Sequence, residues 1–234
     1  MADYYRGDTI SRETDVIGFS TRAEFLTRTY CHLFGAVAGF TAIEVALFRS
    51  GYASTIAGAL LGVNWLLVLG GFVIVSWLAS RVAHTADSLP KQYAALVAFV
   101  IAQAIIFVPL LYVANYYAPG AIRSAAIVTV AGFTGLTFVA WTTRKDFSFL
   151  GALLRWAGVV AMLAIVAAVL FGVALGTWFS VGMIALAGAA ILYDTSNVIR
   201  NFPPDRHVGA ALELFASVAL MFWYVLRFFM ASDD

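Results

Sequence analysis

Two consecutive runs decide the fold: FLGALLRWAGVVAMLAIVAAVLFGV at 149–173 and GTWFSVGMIALAGAAILYDTSNVI at 176–199. Each is long enough to cross the roughly 30 Å of hydrocarbon that about 20 apolar residues span as a helix. Only Leu175-Gly176 and their neighbours separate them, so the pair is expected to form a tight helical hairpin. Working outward, the same criterion selects 30–48, 57–80, 92–114, 120–142 and 209–230, giving seven segments. The breaks between the others carry charge or proline: Arg49-Ser50-Gly51, Arg81 to Lys91, Ala118-Pro119-Gly120, Arg144-Lys145-Asp146 and Asn201-Phe202-Pro203-Pro204-Asp205-Arg206.

Composition agrees. The 234 residues are 62% hydrophobic and 12% charged, with a mean hydropathy of +0.90. A soluble domain carries about 25% charge, so this chain cannot cover a surface facing water. The reading is an all-α integral membrane protein whose solvent is the lipid bilayer. Its organisation is a polar N-terminal arm over 1–29, a seven-helix domain over 30–230 and a short tail over 231–234. The arm mixes acidic and basic residues, unlike a signal or transit peptide.

Lys and Arg set the expected orientation. Arg6, Arg12, Arg22 and Arg28 in the arm fall on one side with Arg81, Lys91, Arg144, Lys145, Arg200 and Arg206; Arg49, Arg123 and Arg227 fall on the other. This places the N-terminus in the cytoplasm and the C-terminus outside. Small residues crowd the fourth segment (Ala131, Gly132, Gly135) and the sixth (Gly182, Ala185, Gly188), which is expected to bring both near the bundle centre.

Several functions fall away. The net charge is +1 and no basic patch with interleaved aromatics stands outside the membrane, so no nucleic-acid partner is expected. Lys91 and Lys145 lie in loops, leaving no buried lysine for a retinal Schiff base. His32, His84 and His207 lack paired spacing for haem or zinc. No phosphate loop or Ser–His–Asp set appears, and Asp194 has no aspartate partner in another membrane segment. The chain is read as a non-enzyme without a metal centre, and Cys31 as a small apolar filler.

Ionisable groups inside the membrane cost about 2.5–3.5 kcal/mol each on insertion scales and so mark candidate sites. Asp194 lies some six residues, about 9 Å, from the end of its helix and shares a face with Asn197 and Asn201. A purely structural hydrogen bond to a neighbouring helix is the alternative. The last segment carries Glu213, Ser217, Tyr224 and Arg227 on one stripe. Glu213 also suits a helix N-terminus. Glu44 and Arg227 sit at similar depth and form a candidate outer-side ion pair, with Arg49 the competing partner for Glu44.

The run Thr142-Thr143-Arg144-Lys145-Asp146-Phe147-Ser148-Phe149-Leu150-Gly151, the run Ile191-Leu192-Tyr193-Asp194-Thr195, the helix Ala211-Leu212 to Leu226-Arg227 and the opening Arg28-Thr29-Tyr30-Cys31-His32-Leu33 together resemble the transmembrane Bax inhibitor motif family, also called the Bax inhibitor-like or lifeguard family. The resemblance implies six helices packed around a central seventh. It also implies a pH-sensitive calcium leak channel, controlled by hydrogen-bonded aspartates on the sixth and seventh helices. Such a pair titrates as a unit. Asp194 matches the first aspartate, and a calcium ion contacting it is the one cofactor considered. The second position holds Ser217, with Glu213 one turn away as a substitute acid. A serine there is similar to a bacterial branch of modulators of a membrane-bound AAA protease, which implies a non-channel interaction protein of the bacterial inner membrane instead. Arg227 matches a family arginine that pairs with a glutamate on the second helix. That helix is apolar here around Val68, leaving Glu44 as the substitute.

Overall fold

The computed structural model describes residues 21–86, 88–143 and 145–231 in full and residues 2–20 and 232 by their backbone. Eight helices follow one another: α1 (Ala2–Ser50), α2 (Tyr52–Leu61), α3 (Trp65–Thr85), α4 (Leu89–Tyr117), α5 (Ala121–Thr143), α6 (Leu150–Phe171), α7 (Thr177–Arg200) and α8 (His207–Ser232). All but α2 are long and apolar enough to cross a membrane, α1 through its Thr21–Ser50 part. This is an integral membrane protein with seven spans.

The second span departs from the expected 57–80. Residues 57–61 belong to α2, which at about 15 Å is too short to cross. The chain breaks at Gly62 and restarts at Asn64, whose side chain accepts a hydrogen bond from the Leu66 backbone N–H at 2.9 Å and caps α3. An averaged hydropathy runs through this break, because a cap changes hydrogen bonding and not apolarity. The hairpin between α6 and α7 does form, and Gly172 ends α6 with φ of +67°. That left-handed conformation is the one a helix-ending glycine adopts at no steric cost.

The arm expected over 1–29 is divided by the structure. Side chains 1–20, with Arg6 and Arg12, lie outside the described residues, as do Arg144 and the end of the tail. Residues 21–29 continue α1 without a break, and Phe25 and Thr29 are buried in the bundle.

Helix α8 runs through the middle, packed against α1, α3, α4, α5 and α7. Its Ala210, Ala211, Leu214 and Leu226 have no exposed surface. Helix α4 is the other heavily buried element, from Ala95 to Ala114. The fifth span, α6, contributes no buried residue and packs on α7 and α3. The small residues of α5 therefore act differently from expectation. Helix α5 stays peripheral, and its glycine presses inward: a Cβ on Gly132 would lie 3.2 Å from Met221 Sδ of α8. A Cβ on Gly188 of α7 would lie 3.3 Å from Leu136 Cδ1 of α5. Small residues let backbones approach, but which helix is central depends on what surrounds it.

Candidate functional site

The tight contact between α7 and α8 carries the polar centre. Asp194, half-buried on α7, accepts a hydrogen bond from Ser217 Oγ, buried on α8, at 2.5 Å. A hydroxyl donating to a carboxylate makes a short, charge-assisted bond, about twice as strong as a neutral one. The bond joins the two most closely packed helices inside an apolar frame that includes Ile191 and Leu214, both fully buried.

Glu213 lies one turn from Ser217 on α8, near enough to interact electrostatically with Asp194. Its Oε1 lies 2.8 Å from His84 Nε2, at the end of α3, with both side chains about three-tenths exposed. Asp194, Ser217, Glu213 and His84 thus join α7, α8 and α3 in one polar cluster. Asn197 stands apart: its Oδ1 accepts from Asn201 Nδ2 at 3.1 Å, which serves the end of α7.

The expected pair of Glu44 and Arg227 is not formed. The Arg227 guanidinium donates to the Leu175 carbonyl in the α6–α7 turn at 3.3 Å. Glu44 is buried and neither carboxyl oxygen has a hydrogen-bond partner. Depth along a helix does not fix azimuth. The face of α8 near Glu44 is that of Phe215, Val218 and Phe222. Arg227, five residues beyond Phe222, points about 140° away at 3.6 residues per turn.

Two residues that the sequence pattern does not single out tie other helices to α7 and α8. One is His84. The other is Arg22 of α1, which donates to the carbonyls of Ile199 (2.9 Å), Phe202 (2.6 Å) and Val198 (2.6 Å) at the end of α7. The Val198 and Ile199 carbonyls belong to the last turn of α7 and have no partner within the helix, and Phe202 follows it. Nothing in the spacing of Arg22 distinguishes it from the other arginines of the arm. Tyr193, next to Asp194, covers Gly151 of α6, where a Cβ would come within 2.8 Å of the ring. The Phe147 backbone N–H donates to Ser196 Oγ at 3.4 Å, so the loop before α6 is also tied to α7. In that loop the Ser148 N–H donates to Asp146 Oδ1 at 2.9 Å and holds the Asp146 carboxyl below its usual titration range.

The profile of the family described as "Inhibitor of apoptosis-promoting Bax1" matches residues 22–234, nearly the whole chain. The chain belongs to the Bax inhibitor family. Similar proteins include an uncharacterized protein of Neisseria meningitidis serogroup A, 31% identical over 141 residues, 59% of this chain and 62% of that one. Protein LIFEGUARD 4 of Arabidopsis thaliana is 30% identical over 117 residues, 48% of this chain and 47% of that one. A BI1-like protein of the same plant is 27% identical over 108 residues, 45% of this chain and 42% of that one. The chain thus spans between about two fifths and three fifths of the length of these relatives.

Calcium binds through six to eight oxygens. Among the described residues no three His, Cys, Asp or Glu side chains gather as metal ligands. Asp194 and Ser217 alone do not complete such a shell.

Proposed function

We propose that this Bax inhibitor family protein is a non-enzymatic, proton-controlled cation leak, with calcium as its cargo. The observation that carries the reading is the bond from Ser217 to Asp194 across the α7–α8 contact. The bond is strong only while Asp194 is charged. A proton on the carboxyl removes the charge assistance and loosens α7 against the central helix. Glu213 and His84, also ionisable, stand beside it and modulate its charge. One carboxylate and a serine replace the paired aspartates that the family resemblance implied. The protein sits in a bacterial inner membrane with its N-terminus in the cytoplasm and its C-terminus outside, the orientation that the Lys and Arg distribution favours.

The test is calcium flux into proteoliposomes between about pH 6 and 8, the interval in which histidines change charge. The reading expects a pH-dependent flux that Asp194→Asn abolishes or makes insensitive to pH. Flux that is unchanged in Asp194→Asn removes Asp194 from the mechanism.

A second reading is favoured by α6, which buries none of its residues and leaves Trp156 and Phe171 three-quarters exposed or more. That face suits a membrane partner such as a membrane-bound AAA protease or another membrane complex. Absence of flux at any pH, together with co-purification that is lost on substituting Trp156 and Phe171, would select it.

A further inference from the structure

Glu44 is the one charged side chain among the described residues on the wall of a cavity of about 330 Å³ between α1, α4, α5 and α8. This volume is at the lower end of the about 300–1,000 Å³ found for small-molecule sites. Phe40, Phe107 and Phe222 make much of the wall. Glu44 is 6% exposed and Thr129 3% exposed, and all three of their side-chain oxygens lack a hydrogen-bond partner. Buried polar groups are nearly always satisfied, so two unsatisfied ones facing the same space mark a place for a donor. The opening lies between α1 and α5, where Val45 (44%) and Val130 (63%) are exposed, so entry is from the lipid side.

We propose that this cavity binds a single-chain lipophilic amine, its ammonium on Glu44 and Thr129 and its hydrocarbon tail along the aromatic wall. A protonated amine brings several donors and the opposite charge, which together satisfy a buried carboxylate. An inorganic divalent cation fits poorly, because one carboxylate and a hydroxyl fall short of the oxygens it needs. An aminophospholipid fits poorly too, because no Lys or Arg lines the cavity to meet a phosphate. The site lies on a different face of α8 from Ser217, the donor to Asp194 on α7, and does not depend on their role.

The probe is nonylamine with a diazirine in its tail, photolysed with the full-length protein in phosphatidylcholine nanodiscs. Labels are mapped by peptide mass spectrometry. Labelling is expected where the tail lies, around Phe40 on α1, Phe107 on α4 and Phe222 on α8, competed by plain nonylamine and not by nonanol. Glu44→Gln, equal in shape and without charge, is expected to weaken labelling by about thirtyfold, as loss of one member of a buried charge pair does. Ala126→Trp at the open rim is expected to block it while leaving Glu44 in place, and it answers the question if Glu44→Gln fails to fold. Equal competition by nonanol, labelling unchanged in either folded variant, or displacement by phosphatidylethanolamine as effective as by nonylamine would each overturn the proposal.

Discussion

Arg22→Met removes the three hydrogen bonds that fasten α1 to the end of α7. Each bond from a charged donor contributes about 1.5–3 kcal/mol in isolation. The three do not add, because one guanidinium is desolvated and ordered once for all of them. Arg22 is also only half-buried, so water can reach some of the carbonyls in the variant. The guanidinium further lies 4.8 Å above the Phe25 ring, a contact contributing about 0.5–1 kcal/mol where exposed. The expected loss is therefore about 2–3 kcal/mol, the scale of one charged hydrogen bond with its stacking. Arg22→Lys keeps the charge but has no planar fork. It engages one carbonyl at a time and should lose about 1 kcal/mol. Reversible unfolding in mixed detergent micelles, followed by helical circular dichroism, measures both. Amide exchange at Val198–Phe202 should rise in Arg22→Met before exchange elsewhere does. A variant within about 0.5 kcal/mol of wild type, the range of inconsequential surface changes, would refute the clamp.

Other consequences follow from the same contacts. Ser217→Ala deletes the donor to Asp194 and should cost about 1.5–3 kcal/mol in the same unfolding assay. Ser217→Asp should create two coupled carboxyls whose stability profile titrates in two steps. Gly209→Val should cost about 1–3 kcal/mol by overpacking: the new Cβ would lie 3.1 Å from the Ala83 carbonyl oxygen and 3.5 Å from His84 Nε2. It should also separate His84 from Glu213, which histidine chemical shifts would report. Asp146 binds its proton less readily in the folded chain than when unfolded, because its charged form accepts the Ser148 N–H. Its stabilising effect is therefore present above the ordinary aspartate pKa of about 3.9 and is lost as pH falls through the lower folded value. Asp146→Asn should leave stability independent of this titration, and a carboxyl NMR titration of Asp146 midway at the ordinary value would contradict the turn.

The seven spans and the family were legible from sequence because both rest on local chemistry. Apolar length decides what crosses a bilayer, since no water there can satisfy an unpaired backbone group. The motifs around Asp146 and Asp194 lie within continuous stretches. Asp194 could be singled out because an ionisable group in an apolar helix is rare whatever surrounds it. Its link to Ser217 was approachable through the resemblance that placed both on facing helices. The partner of Glu213 was not approachable, because His84 is 129 positions away and its spacing carries no signal. The same holds for Arg22, which serves carbonyls some 176–180 positions distant. Backbone acceptors look alike in every sequence, so a side chain that caps a remote helix leaves no mark on the residues it serves.

Sequence by itself thus determined the solvent, the number of crossings and which few polar groups must be accounted for, since each follows from transfer energies along one helix. Only the tertiary structure decided how those groups pair. It turned Arg227 to the α6–α7 turn and left Glu44 facing an apolar cavity. Pairing depends on the rotation of each helix about its own axis, and that rotation is set by the packing of all the helices together.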